Sequence, residues 1–201
     1  MAKIYVLMGK SAVGKDTVHQ KLLALAQGGL KTVIPYTTRP RRSGEEEGRD
    51  YHFLTDETAD ALRAEGRIIE ERCYQTVHGP WRYLTVEDGQ IRLDGEEDYL
   101  LIGTLESYEK IRDFYGAEHV VPLYLYVSDH ERLMRAIHRE EEQAVPRYAE
   151  MCRRFLADEE DFSEEKLLAA GITEDCRYEN ADADTLACDL WKQISGKPVR
   201  F

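Results

Sequence analysis

Gly9-Lys10-Ser11-Ala12-Val13-Gly14-Lys15-Asp16-Thr17 follows directly on a short apolar run, Lys3-Ile4-Tyr5-Val6-Leu7-Met8. A nearly unbroken run of that length predicts a strand buried on both faces of a parallel sheet. Beyond Gly14 and Lys15, the apolar residues Val18, Leu22, Leu23 and Leu25 recur at roughly helical spacing until Gly28-Gly29, which predicts a helix. A glycine-rich turn between such a strand and such a helix is the setting of a phosphate-binding loop. Its glycines let the backbone curl so that successive N–H groups point at phosphate oxygens. The helix N-terminus adds partial positive charge. Gly9, Ser11, Ala12, Val13 and Gly14 would form the cradle, and Lys15 would reach the β- and γ-phosphates of a nucleotide. Asp16 stands where a hydroxyl usually follows that lysine, and the hydroxyl comes one residue later at Thr17. Either side chain could face the Mg²⁺ that accompanies ATP.

Outward from this loop, strand-like and helix-like segments alternate. Residues 32–34 read as a second strand, residues 51–54 as a third, and Thr55 as the N-cap of a helix through Leu62. Residues 68–85 suggest short strands with a turn at Gly79-Pro80. Residues 99–102 and 120–127 read as buried strands, with a helix over residues 106–115 between them. Ser128-Asp129-His130-Glu131 has the form of a capping box, and the helix it opens carries Leu133, Met134 and Ile137 on one side. A charged, helix-prone stretch over residues 139–161 breaks near Pro146. A weak strand precedes Asn180, and a last helix covers residues 184–194. This alternation predicts an α/β sandwich with a mostly parallel sheet.

The bulk properties narrow the function. The 201 residues suffice for one domain with its own core plus a small inserted lobe. The net charge of -12 argues against non-specific binding to nucleic acid or to an anionic membrane surface. Cys73, Cys152, Cys176 and Cys188 lie far apart without metal-ligand spacing, as expected of a reduced, intracellular protein. Met1 leads straight into residues 3–8, too short for a signal-peptide core, and no apolar run approaches the roughly 20 residues of a membrane span. The expectation is a cytoplasmic protein.

Within this acidic chain one segment is concentrated in arginine: Thr37-Thr38-Arg39-Pro40-Arg41-Arg42-Ser43-Gly44-Glu45, then Gly48-Arg49-Asp50-Tyr51-His52-Phe53. Guanidinium forks match the geometry of phosphate oxygens, and a tyrosine hydroxyl can add a further donor. The order of phosphate loop, strand, T-T-R-x-x-R-x-G-E and G-x-D-Y-x-F closely resembles guanylate kinases, most specifically over residues 3–53 and more loosely along the rest. The loop with a residue between lysine and threonine also resembles that of adenylate kinases. The resemblance implies a P-loop kinase sandwich in a single domain. Its core would be residues 1–34, 98–134 and 162–201, with a monophosphate-binding lobe near 35–97 and a helical lid near 135–161. It implies ATP with Mg²⁺ as donor and a nucleoside monophosphate, GMP or dGMP, as acceptor.

The same resemblance implies roles residue by residue. Arg39, Arg42 and Tyr51, with Thr38 in the same loop, would hold the acceptor phosphate. Glu70, with Glu71 a close rival, would read the guanine edge. Tyr83 or Arg82 would take the place of a phosphate-binding tyrosine, and Thr85 would be the hydroxyl near the base. Arg135 and Arg139, at helical spacing, and Arg154 would be lid arginines closing on the ATP phosphates. Asn180 would lie beside the adenine.

Two features depart from the family pattern. Pro35 stands where a serine helps to bind guanine, and a strand ending in two acidic residues reads Leu101-Ile102-Gly103-Thr104, so Ile102 and Thr104 replace them. Phosphate handling is well preserved, whereas base selection is expected to depart from the family pattern. A kinase for another nucleoside monophosphate and a non-catalytic binding module of the same fold remain the competing readings. Lys15 and the lid arginines, which a binding module does not need, separate the second of these.

Overall fold

The computed structural model describes residues 2–42, 44–76 and 79–196. In chain order it contains β1 (Ile4–Met8), α1 (Lys15–Ala26), β2 (Leu30–Thr32), β3 (Tyr36–Thr37), β4 (His52–Phe53), α2 (Asp56–Ala64), β5 (Ile68–Thr76), β6 (Gly79–Val86) and β7 (Asp98–Ile102). There follow α3 (Leu105–Tyr115), β8 (Val120–Tyr126), α4 (Asp129–Glu141), α5 (Tyr148–Asp161), α6 (Glu164–Ala169), β9 (Arg177–Glu179) and α7 (Ala183–Ser195).

The larger sheet is wholly parallel, in the order β2-β7-β1-β8-β9. Its central strand β1 is buried along its whole length, as a strand covered on both faces must be. Its pleat divides the core in two. Ile4, Val6 and Met8 pack with Tyr99, Leu101, Tyr108 and Ile111 on the α3 side. Tyr5 and Leu7 pack with Val18, Leu22, Leu100, Leu186 and Leu190 between the sheet and helices α1 and α7. A second sheet, in the order β4-β3-β6-β5, is mostly antiparallel and covers its own small core of Ala59, Leu84 and Val86 under α2. The expected α/β class with a mostly parallel sheet is what the chain adopts. No described helix is long and apolar enough to cross a membrane.

Several local expectations are corrected. The second strand ends at Thr32 rather than starting there, because Leu30 to Thr32 pair with Asp98 to Leu100. Gly79 and Pro80 do not make the hairpin turn. They pair with Thr76 and Gln75 inside the β5–β6 ladder, and the residues joining the strands lie outside the described ones. Ser128 caps α4 by accepting the Glu131 N–H at 3.2 Å, but the Glu131 carboxylate pairs with Arg135 instead of closing a capping box. The inward face of α4 carries Arg132 and Ala136, while Met134 is 40% exposed, so the apolar stripe proposed for this helix is not its buried one. Thr104 caps α3 with a reciprocal Ser107 bond, and α6 forms in a stretch where no helix was expected.

Candidate active site

The loop expected to bind phosphate leaves β1 in a conformation that needs its glycines. Gly9 has φ 147°, and a Cβ there would sit 2.2 Å from the Leu125 carbonyl oxygen. Gly14 has φ 92°, and a Cβ would meet Asn180 Nδ2 at 2.5 Å. Ala12 also takes a left-handed φ of 65°, an uncommon state for a residue with a side chain. Gly14 is the N-cap of α1 and supplies no side-chain cap, so the N–H groups of the first turn stay open to an anion.

Polar groups converge on this turn from distant parts of the chain. Lys15 Nζ donates to the carbonyls of Gly9 at 2.7 Å and Lys10 at 3.0 Å, folding back over the loop. Burial pulls its ammonium below the usual lysine range, opposed by Asp158 and Asp16. Arg135 Nη2 donates to the Asn180 carbonyl at 3.1 Å, and Asn180 Nδ2 donates to the Val13 carbonyl at 2.7 Å. Asn180 is buried with its Oδ1 unpaired. The Ser11 N–H donates to Asp158 Oδ2 at 2.8 Å, so a carboxylate of α5 takes one of the N–H groups that the sequence assigns to phosphate. Asp16 and Thr17 stand exposed in the first turn of α1.

The second cluster lies on one face of the smaller sheet. Strand alternation puts Glu70 and Arg72 of β5 on the same side as Tyr83 and Thr85 of β6, since Glu70 pairs with Thr85 and Arg72 with Tyr83. Thr85 Oγ1 donates to Glu70 Oε1 at 2.9 Å, and both residues are buried. The Tyr83 ring meets Tyr51 edge-on, with ring centroids 5.9 Å apart. Arg39 is 3% exposed and lies 5.4 Å from the Tyr51 centroid, with its guanidinium donating to both oxygens of Glu45 at 3.1 and 2.7 Å. Burial raises the Tyr51 hydroxyl above its ordinary value, which keeps it protonated and a donor. Arg42 is exposed, and Thr38 Oγ1 accepts the Arg82 N–H at 3.1 Å.

The pleat separates residues that sequence alone left as rivals. Glu71 and Arg82 point to the other face, where Arg82 Nε donates to Glu71 and its Nη1 to Asp60 at 2.8 Å, while Arg63 also holds Glu71. Despite its burial, Glu71 is held below the usual carboxylate range by these two arginines. Thr104 borders a cleft of about 600 Å³ together with Arg72, Tyr74, Glu106 and Lys166, and spends its hydroxyl largely on Ser107. Of the arginines expected to close on ATP, Arg135 is at the loop. Arg139 is exposed and lies close enough to depress the Lys15 ammonium further. Arg154 is exposed and shares Glu150 with Arg153.

A family model described as guanylate kinase matches residues 1–81. The guanylate kinase of Anaplasma phagocytophilum (strain HZ) is 31% identical over 138 residues, which are 67% of this chain and 62% of that protein. Guanylate kinase 2, chloroplastic/mitochondrial, of Oryza sativa subsp. japonica is 29% identical over 140 residues, 69% of this chain and 47% of that protein. The crystal structure of guanylate kinase from Anaplasma phagocytophilum shares the fold at a TM-score of 0.65 and 21% identity, covering 99% of this chain and 87% of that one. The chain resembles guanylate kinases in sequence over part of its length and shares their fold along nearly all of it. It spans less than two thirds of the length of these two relatives in sequence.

Against the pattern of guanylate kinases, the residue that sequence reasoning missed is Arg132. It is 1% exposed and stacks 4.2 Å from the Phe155 ring centroid. Its Nη1 donates to Asp129 at 3.0 Å and to Glu159 at 2.6 Å, its Nη2 to Asp158 at 3.3 Å, and its Nε to the Ser11 carbonyl at 3.4 Å. It therefore ties α4 and α5 to the phosphate loop. Its position on the α4 face opposite to the apolar stripe disguised it, and no local spacing marks such a network. Losing one partner of a buried ion network costs about 3–5 kcal/mol. Because Glu159 and Asp129 reach solvent, Arg132→Met is expected to cost toward the lower end, about 3 kcal/mol, although methionine keeps the packing on Phe155. Urea unfolding of the two proteins checks this, and an unchanged midpoint would mean the network contributes no net stability.

Proposed function

We propose that this chain transfers the γ-phosphoryl group of ATP to GMP or dGMP. The observation that carries this is the single polar face formed by Arg39, Tyr51, Tyr83, Thr85 and Glu70. It offers cationic and hydroxyl donors at one end and a buried carboxylate at the other, matching a monophosphate and a base edge rich in N–H groups. The phosphate loop, with Lys15 and Arg135, would hold the donor. Asn180, with its unpaired acceptor, suits the amino group of adenine.

The steps that fall to the protein are placement and charge. Arg39, Arg42 and Tyr51 would fix the acceptor phosphate in line with the γ-phosphorus, with Thr38 shaping the loop. Lys15 would follow the charge as it moves to the β-phosphate oxygens. Arg135 and Arg139, with Arg154 if α5 swings inward, would close residues 135–161 over the reacting groups and exclude water, favouring transfer over hydrolysis. The small sheet and α2, within residues 35–97, would be the acceptor lobe. Mg²⁺ takes one or two protein donors besides phosphate oxygens and water, and either Thr17 or Asp16 fits that need. Bound with ATP, the ion would neutralise β- and γ-oxygens.

Glu70→Gln tests the base assignment. The amide puts a donor where the base edge offers donors, and loss of one charge-assisted bond costs about 1.5–3 kcal/mol, so kcat/KM for GMP is expected to fall about 10- to 100-fold. The value for AMP should change far less. Coupled assays of ADP formation with GMP, dGMP, AMP and a pyrimidine monophosphate read this directly. A wild-type preference for the pyrimidine, or indifference to the substitution, would remove GMP as the acceptor.

A further inference from the structure

The base end of the acceptor face is not a lone carboxylate. Arg72 Nε and Nη2 donate to the two oxygens of Glu70 at 3.1 and 3.4 Å, with side chains 19% and 2% exposed respectively. Although burial works against its charge, Glu70 holds the guanidinium above its ordinary range, and Tyr74 adds to that hold. Arg72 also borders the cleft of about 600 Å³. We propose that Arg72 is a specificity-determining residue whose guanidinium donates to the 6-oxo group of the acceptor base, acting as one unit with Glu70. This rests on the nucleoside monophosphate kinase reading above.

The argument is one of donors and acceptors. Guanine and hypoxanthine carry a carbonyl at C6 beside a protonated N1, whereas adenine carries an amino group beside a bare N1. A carboxylate alone can accept from N1–H but repels the carbonyl. A carboxylate with a guanidinium at its side offers an acceptor next to a donor, which complements the 6-oxo edge and opposes the adenine edge. Other donors near this end are few. Pro35 has none in its side chain, Ile102 has none, and the Thr104 hydroxyl is engaged with Ser107 at 3.0 Å. A guanidinium has about five N–H donors, so the two given to Glu70 leave others for the base.

The same count sets a limit on what Glu70 can read. An ionised carboxylate has roughly four acceptor positions. Arg72 takes two and Thr85 takes one, so about one remains. That is enough for N1–H but not also for the 2-amino group, which distinguishes guanine from hypoxanthine. The site therefore discriminates at position 6 of the purine and only weakly at position 2.

The experiment measures kcat/KM for GMP, IMP and AMP with wild type, Arg72→Met and Arg72→Lys, together with calorimetric binding of guanosine, inosine and adenosine. Wild type should use IMP within about tenfold of GMP, with AMP at least about 100-fold worse. Arg72→Met should lower GMP and IMP together by about 10- to 100-fold and leave the AMP value and the KM for ATP nearly unchanged. Arg72→Lys, which keeps a donor, should restore part of the 6-oxo preference. The nucleosides should follow the same order without any phosphate. Equal losses for GMP, IMP and AMP in Arg72→Met would assign Arg72 to the phosphate or the fold and overturn the proposal. So would strong rejection of IMP by wild type. If wild type phosphorylates none of the three, the kinase reading fails by itself, and nucleoside binding still decides the role of Arg72.

Discussion

Lys15→Ala is expected to keep the fold and to lose phosphoryl transfer by a factor of about 10²–10³ or more. Lys15 opens α1 beside the turn from β1, and its ammonium already lies over the loop on the carbonyls of Gly9 and Lys10. Transfer of a phosphoryl group has little covalent chemistry for a protein to perform, so placed positive charge is most of what this loop can offer. The structural loss is smaller. Two bonds from a half-buried ammonium contribute about 1–3 kcal/mol, and the glycine conformations and Asn180 still shape the turn. A coupled ADP assay alongside thermal unfolding separates the two effects. Near-normal turnover in folded Lys15→Ala protein would remove this loop from the chemistry.

Arg39→Ala is expected to reduce kcat/KM for the acceptor by about 10²-fold while the KM for ATP stays within about twofold, because a charge-assisted bond to phosphate is worth about 1.5–3 kcal/mol. Arg39 is positioned before any phosphate arrives: Glu45 grips both ends of the fork and the Tyr51 ring lies beneath it. Part of any loss could then come from a collapsed loop around Glu45. The control is Arg39→Lys, which keeps the charge but not the fork, and which should recover only part of the activity. Unchanged acceptor kinetics in both variants would reduce this segment to a surface loop.

The parts of the protein legible in its sequence are those set by neighbours along the chain. The strand, turn and helix around Gly9 to Lys15 were readable because they occupy successive residues, and the α/β class followed from the alternation of short apolar runs with helical patterns. The lining of the proposed acceptor face was only half readable. Glu70 and Glu71 are adjacent and chemically alike, and what separates them is a strand partner far along the chain: Arg82 claims one, Thr85 the other. Arg132 was invisible for the same reason, since its partners on α5 lie more than a full helix away. Gly79-Pro80 misled in the opposite direction. Both residues favour turns, yet they form the last two pairs of the ladder between β5 and β6.

That ladder carries one irregularity, between Ile68 and Glu70. Ile68 pairs with Val86 and Glu70 with Thr85, so Ile69 is a supernumerary residue. Ile68 leans on the small core under α2, while Ile69 is buried in the core of the large sheet, which pins the irregularity from both sides. In an unbroken ladder starting from the same first pair, Glu70 would stand opposite Leu84, the place Glu71 now holds beside Arg82 and Arg63, and Glu71 opposite Tyr83. The bulge therefore acts as a phase shifter. It decides which of two neighbouring carboxylates faces Tyr83 and Thr85, so under the proposed function substrate choice would be written in the parity of a residue count as much as in any side chain.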